Sequence, residues 1–112
     1  ILVYDHDADA GESAGGAKAL PPSVYFSRLA NGVVAALTSP GAEGKLYDVD
    51  MRLRPSGSKG PVAVSLASFR RYHAESAWTW ERMALTRARF VAGVPALKRE
   101  VEAAIRAAQT RP

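Results

Sequence analysis

Apolar positions along this 112-residue chain follow more than one rhythm, and each rhythm predicts a different element. Ile1 to Tyr4 is a short unbroken apolar run. It reads as the end of a buried strand whose beginning lies upstream of residue 1. From Ser23 the spacing becomes helical, with Phe26, Leu29, Val33, Ala36 and Leu37 on one face. Ser23 is placed to cap that helix, and Pro40, Gly41 and Gly44 to stop it after Thr38. Residues 45–55 then alternate. Tyr47, Val49, Met51 and Leu53 point one way and Asp48, Asp50, Arg52 and Arg54 the other, which predicts a half-buried strand with an ionic second face. Pro55, Ser56 and Gly57 end it.

Residues 58–61 read as a second turn and residues 62–66 as a short strand, with Ser65 available to start a helix through about Glu75. Residues 78–91 hold few breakers and predict another helix, ended near Gly93. Pro95 suits a first helical turn, and Leu97, Val101, Ile105 and Ala108 form an apolar stripe towards the C-terminus. Residues 5–22, rich in Asp, Gly, Ala and Pro, read as a mobile surface loop. The order is strand, helix, strand, short strand and three helices, which is an α+β fold of at most one domain. At this length the core has little margin.

Composition changes that picture mainly by exclusion. With 47% apolar and 23% charged residues the chain is ordinary globular material. The absence of cysteine removes disulfides and thiolate metal sites, and fits a cytoplasmic protein. The apolar run at residues 1–4 is too short for a signal peptide or a membrane span, so the chain reads as soluble. A net charge of +4 is modest, with residues 5–12 acidic and most arginines beyond residue 51. A normally solvated surface accounts for it as well as a polyanionic partner does.

The candidate chemistry lies in the alternating segment. Carboxylates at alternate strand positions are about 7 Å apart, within reach of one divalent cation. Arg52 and Arg54 would continue the same face as a fork for phosphate. A cation between carboxylates and phosphate oxygens, with arginines taking the remaining charge, is how phosphoryl and nucleotidyl transfer is stabilised. A solvated strand with paired Asp and Arg accounts for the same spacing, and the spacing leaves both readings open. A second cluster is Trp78-Thr79-Trp80-Glu81 with Arg82, Arg87 and Arg89. Two tryptophans at i and i+2 lie on different helix faces, so one is expected to pack inward and the other to line a cleft or interface. Trp80 with Arg87 can stack on a base and hold phosphates, and ordinary packing of arginine over an indole is the competing reading. Asp5-His6-Asp7-Ala8-Asp9 matches no calcium loop and is not taken as a metal site. His73, alone on its helix beside Arg70 and Arg71, is read as structural or solvated.

The run Tyr47-Asp48-Val49-Asp50-Met51-Arg52-Leu53-Arg54-Pro55-Ser56-Gly57 resembles the signature strand and turn of glutamine synthetase adenylyltransferases. Ala77-Trp78-Thr79-Trp80-Glu81, then residues 84–89 and Ala92-Gly93, is similar to their second signature, and residues 25–30, 36–38 and 110–112 show the same pattern. The resemblance implies a nucleotidyltransferase-like small sheet with flanking helices, partial over residues 1–75, and a helical segment over 76–112 that continues towards a bundle. It implies an enzyme that moves AMP from ATP to a tyrosine of glutamine synthetase with magnesium, in nitrogen metabolism. That enzyme is regulated through a PII-type signalling protein, with no role for nucleic acid or membrane.

Such enzymes carry an adding and a removing domain. Pro55-Ser56-Gly57 and Trp78-Thr79-Trp80-Glu81 resemble the adding, C-terminal copy, and the removing domain, which works by phosphorolysis, is the alternative. A small basic nucleic-acid-binding module is a further alternative from another class. By resemblance, Asp50 is the catalytic, metal-binding carboxylate, and Arg52, Arg54, Trp80 and Arg87 are the substrate-binding residues. Residues 1–5 match the positions just after the family's Asp-Leu-Asp motif, so two of three metal carboxylates would lie before residue 1. The 112 residues alone are therefore expected to be inactive. The chain departs from the family at Ser76, often Glu, at Arg82, often His, and at Val94, where an Asp would cap the last helix at a gain of about 1 kcal/mol.

Overall fold

A computed structural model of the chain describes residues 1–6, 11–16, 19–39 and 48–110. Two strands pair in parallel, β1 (Leu2–Tyr4) and β2 (Ala63–Ser65). Parallel strands cannot be joined by a tight turn. The connection between them includes the helix α1 (Pro22–Thr38). After β2 come α2 (Leu66–Glu75), α3 (Thr79–Ala84) and α4 (Pro95–Gln109), with single 3-10 turns at Gly57–Lys59 and Leu85–Arg87. The α+β class read from the sequence is what the structure shows. Among the described residues no helix is long and apolar enough to cross a membrane.

The chain divides into two compact units, one of residues 1–2 with 6–64, the other of residues 3–5 with 65–112. In the first unit α1 starts one residue before the predicted cap. Pro21 precedes it in extended conformation and Pro22 opens the first turn, where its missing N–H is no loss. Ser23 therefore lies inside the helix rather than capping it. Thr38 Oγ1 turns back on the Val34 carbonyl (2.8 Å) at the end, and Ser39 is already extended.

The face of α1 that is covered is not the one expected. Ala30 is the buried residue, with Phe26 and Val34 half-buried on either side at i±4. Leu29 and Leu37, from the predicted stripe, are 55% and 46% exposed. The stripe is apolar, but the cover within this unit sits on the neighbouring face.

In the second unit Ser65 caps α2, its Oγ accepting from the Ser68 amide at 3.1 Å, as its place before Leu66 foretold. Leu66, Phe69 and His73 form the buried face of α2, and the His73 ring lies 4.6 Å from that of Phe69, tilted by 51°, and edge-on to Tyr72. α2 packs on α4, where Ala104 and Ala108 are buried and an Arg70–Glu100 ion pair joins the two helices. Alanines let the axes come close, and Leu97, Val101 and Ile105 flank them half-buried.

The helix expected over residues 78–91 is shorter. α3 ends at Ala84, tightens into a 3-10 turn through Arg87, and is extended from Ala88. What ends it is tertiary rather than local. Leu85 is 1% exposed, its carbonyl accepts from Gln109 Nε2 at 3.1 Å, and Arg82 Nε donates to the Ala108 carbonyl at 3.0 Å. These bonds tie the end of α3 to the last turn of α4, where unpaired carbonyls need partners.

α4 starts at Pro95 with Val94 at the N-cap, where no side chain bonds the first amides. Val94→Asp is expected to stabilise the chain by about 1 kcal/mol, and Ser65→Ala at the cap of α2 to destabilise it by a similar amount. Urea unfolding followed by circular dichroism checks both. Unchanged midpoints in the two variants would show that neither cap governs its helix.

Candidate functional site

The strand expected over residues 45–55 is not found among the described residues. Residues 40–47, including Tyr47, lie outside them, and from Asp48 to Met51 the backbone is irregular. The reason is visible in where the amides go. The Arg52 N–H donates to its neighbour's side chain, Asp50 Oδ1, at 2.9 Å, and the Arg54 N–H to the Met51 carbonyl at 3.2 Å. Amides used locally are not available to a ladder. The predicted alternation survives without one, since Val49, Met51 and Leu53 are half-buried while Asp48, Asp50 and Arg52 are exposed.

From Met51 to Gly60 the chain is a series of turns. The Gly57 N–H donates to the Arg54 carbonyl at 2.8 Å and the Gly60 N–H to the Gly57 carbonyl at 3.1 Å. Ser56 and Gly57 are both left-handed, at φ 63° and 55°, so the second must be a residue that adopts this freely. Gly60 is required for a different reason. A Cβ there would stand 2.1 Å from the Pro55 carbonyl oxygen. Arg54 closes the structure, Nη1 donating to the Met51 carbonyl at 3.1 Å and Nε to the Gly60 carbonyl at 3.3 Å.

On the outside of this turn stand Asp50 and Arg52. Arg52 Nε lies 2.9 Å from Oδ1 and 3.0 Å from Oδ2, and Nη2 lies 2.7 Å from Oδ2. The Arg52 and Asp50 side chains are 83% and 58% exposed, so the pair stands in water. The Arg52 guanidinium and then its backbone amide hold the Asp50 carboxyl down to about 2, below its ordinary 3.8, and the carboxylate raises Arg52 in turn. Asp50 is thus a permanent anion near neutrality.

Of the residues singled out in the sequence, Asp50, Arg52 and Arg54 come together on one turn. Trp80 and Arg87 belong to the other compact unit. There Trp78 and Trp80 are 72% and 58% exposed, so neither packs inward. Arg87 is also exposed, and the shift to a 3-10 turn at Leu85 breaks the helical register that would align it with Trp80. What holds this segment is Glu81, a role that sequence reasoning misses. Glu81 is 2% exposed, takes the Tyr72 hydroxyl on both oxygens at 2.8 Å, and accepts from the Trp78 amide at 2.8 Å. Its position three residues after the N-cap is the available signal, obscured because tryptophan rather than Ser or Thr holds the cap.

Among the described residues, grooves are also formed away from this turn. One of 410 Å³ between α2 and α4 is lined by Arg70, His73 and alanines, and one of 210 Å³ by His6, Leu20, Tyr25, Phe26 and neighbours. Neither is lined by Asp50, Arg52, Arg54, Trp80 or Arg87.

Among the described residues no three His, Cys, Asp or Glu side chains converge on a point where a metal ion would sit. Asp50 still offers the donor that magnesium prefers, an ionised oxygen ligand. That ion commonly takes only one or two carboxylates and completes its shell with water and phosphate. Of the residues singled out, Asp50 is the one whose donor chemistry suits such an ion.

Because the folded pKa of Asp50 is depressed, what its pairing adds to stability is present above about 3.8 and lost as pH falls towards 2. The carboxyl carbon of Asp50 is expected to titrate near 2 by NMR, and Arg52→Ala, which removes the guanidinium but keeps the backbone amide, to raise the midpoint only part of the way towards 3.8. A midpoint at 3.8 in the unmodified chain would mean that the pair does not persist in solution.

The family model for glutamate-ammonia ligase adenylyltransferase matches residues 1–104. A bifunctional glutamine synthetase adenylyltransferase/adenylyl-removing enzyme of Mesorhizobium japonicum is 51% identical over 112 residues, which is all of this chain and 11% of that protein. Its counterpart in Brucella suis is 60% identical over 93 residues, covering 83% of this chain and 9% of that protein. That of Xanthobacter autotrophicus is 53% identical over 112 residues, all of this chain and 11% of that protein. The chain therefore spans about a tenth of the length of these relatives. With nearly every residue matched by one family model and more than half identical in each of these relatives, the chain belongs to the glutamate-ammonia ligase adenylyltransferase family.

Proposed function

We propose that these residues form part of a nucleotidyltransferase domain that transfers AMP from ATP to a tyrosine of glutamine synthetase, and so regulates nitrogen assimilation. The observation that carries this reading is the exposed Asp50–Arg52 pair, presented by a turn that Arg54 braces from within, in the segment that resembles the family's signature strand and turn. The name of the relatives covers both addition and removal of the adenylyl group. The choice of the adding half rests on Pro55-Ser56-Gly57 and Trp78-Thr79-Trp80-Glu81.

In AMP transfer the tyrosine oxygen bonds to the α-phosphorus, the bond to pyrophosphate breaks, and the phenol proton leaves for a base or water. Charge grows on the phosphate oxygens along the way, and fixed cations lower that barrier. A magnesium ion bound at Asp50 would neutralise phosphate charge. Arg52 is positioned to do the same with its guanidinium. Arg54, committed to two carbonyls, serves the reaction by keeping the turn closed. Trp80 and Arg87 present an exposed indole and a cation suited to a base and a phosphate. A PII-type regulator would act through parts of the longer protein outside these residues.

In a full-length protein containing this chain, Asp50→Asn is expected to lower AMP incorporation from ATP into unmodified glutamine synthetase by about 100-fold or more. Phosphate-dependent removal of AMP from the adenylylated form should persist. Loss of removal with addition intact would assign the chain to the removing half, and retention of both would end the catalytic role of Asp50. The 112 residues alone are expected to give no AMP labelling.

A further inference from the structure

Of the 17 residues of α1, Arg28 is the one that carries a charge. A helix so poor in charge suits an interior. Ala30 is nonetheless its one buried residue. Tyr25, Leu29, Val33 and Leu37 follow one another at steps of four and so form a single ridge along the helix. All four are exposed, Tyr25 at 44% and Val33 at 39%. By the helical period Asn31 stands across the helix from Leu29, and the ridge itself holds no charge.

A contiguous exposed apolar strip marks a contact surface, and its size bears on what covers it. A helix of 17 residues is about 25 Å long and one face is about 10 Å wide, so the strip offers about 250 Å². A specific contact between separate proteins takes about 800 Å² from each partner. The strip is too small to hold a second copy, or an independent protein, against the freedom lost on association. A segment joined to α1 through the same chain meets a smaller cost, because the chain already holds it nearby. Such segments are plentiful in this family, whose members named above are about ten times the length of this chain.

We propose that the ridge of Tyr25, Leu29, Val33 and Leu37 is an internal docking surface, covered in the longer protein by an uncharged apolar segment of the same polypeptide from outside these 112 residues. A carboxylate or ammonium set against the ridge would lose its water and gain no partner, which fixes the chemistry of the occupant. The inference rests on membership of the family and on the faces of α1. It is independent of the reaction proposed above.

The test is made on a full-length protein containing this chain. With the photoreactive residue p-benzoylphenylalanine in place of Leu29 or Leu37, irradiation is expected to give a crosslink at the mass of one protomer, to a peptide outside the 112 residues. The same group in place of Asn31 is expected to give none. A second measurement needs no variant. In the unmodified protein, hydroxyl-radical oxidation of Leu29 and Leu37, read by mass spectrometry, should rise by about tenfold on unfolding in urea.

Crosslinks at twice the protomer mass would overturn the proposal in favour of a second copy. Crosslinks to peptides within the 112 residues would overturn it in favour of a cover local to this chain. Oxidation of Leu29 and Leu37 as fast in the folded protein as in urea would show the ridge to be bare, and no docked segment would remain to be named.

Discussion

Every buried amide and carbonyl of a folded chain needs a partner, and the described residues hold little sheet with which to supply them. The two strands among them are three residues each. Outside the helices, the remaining backbone groups must be met by turns and side chains, and that demand explains many of the specific contacts. Arg54 takes the carbonyls of Met51 and Gly60, Arg82 that of Ala108, and Gln109 that of Leu85. In the other direction Glu81 takes the Trp78 amide, Ser65 that of Ser68 and Asp50 that of Arg52. Long polar side chains do here what cross-strand ladders do in a larger sheet. The consequence is that several residues which look like chemistry in the sequence are structural in the fold.

That consequence bears directly on the candidate site. Two arginines at alternate positions suggest a matched pair of phosphate ligands, yet the structure gives them unlike tasks. An arginine whose donors are used by two backbone carbonyls has its fork already committed, and what it supplies is a closed turn. An arginine in water on a carboxylate keeps its options. Glu81 shows the same principle in reverse, as an acidic side chain buried within the second unit whose two oxygens fix a tyrosine hydroxyl and a helix start.

Much of the fold was legible because it is written in local rules. Ser65 before Leu66, Pro95 at a first turn and the short apolar run before α2 each specify an element without reference to anything distant. The misreadings share a cause. Alternation over residues 48–53 reports which side chains face water, and it does so whether or not a neighbouring strand completes the ladder. Helical spacing in α1 reports that Leu29, Val33 and Leu37 share a face, and says nothing of what lies on that face. α3 stops where it does because Leu85 and Arg82 are engaged by the end of α4, more than twenty residues away. None of these partners can be seen in a window of a dozen residues.

The same distinction tempers what a signature means. In the stretch from Asp50 to Gly57, and on to Gly60, the residues that build the turn outnumber those that face outward. Arg54 braces it, Pro55 is buried in it, Ser56 and Gly57 take the left-handed conformations, and Gly60 leaves room for the Pro55 carbonyl. Asp50 and Arg52 are what the turn presents. A long motif is therefore specific evidence of this backbone, because so many of its positions are fixed by geometry that few other residues satisfy. Its bearing on reaction chemistry is narrower, since only the side chains that the turn holds out to solvent, Asp50 and Arg52 among them, are placed to meet a ligand.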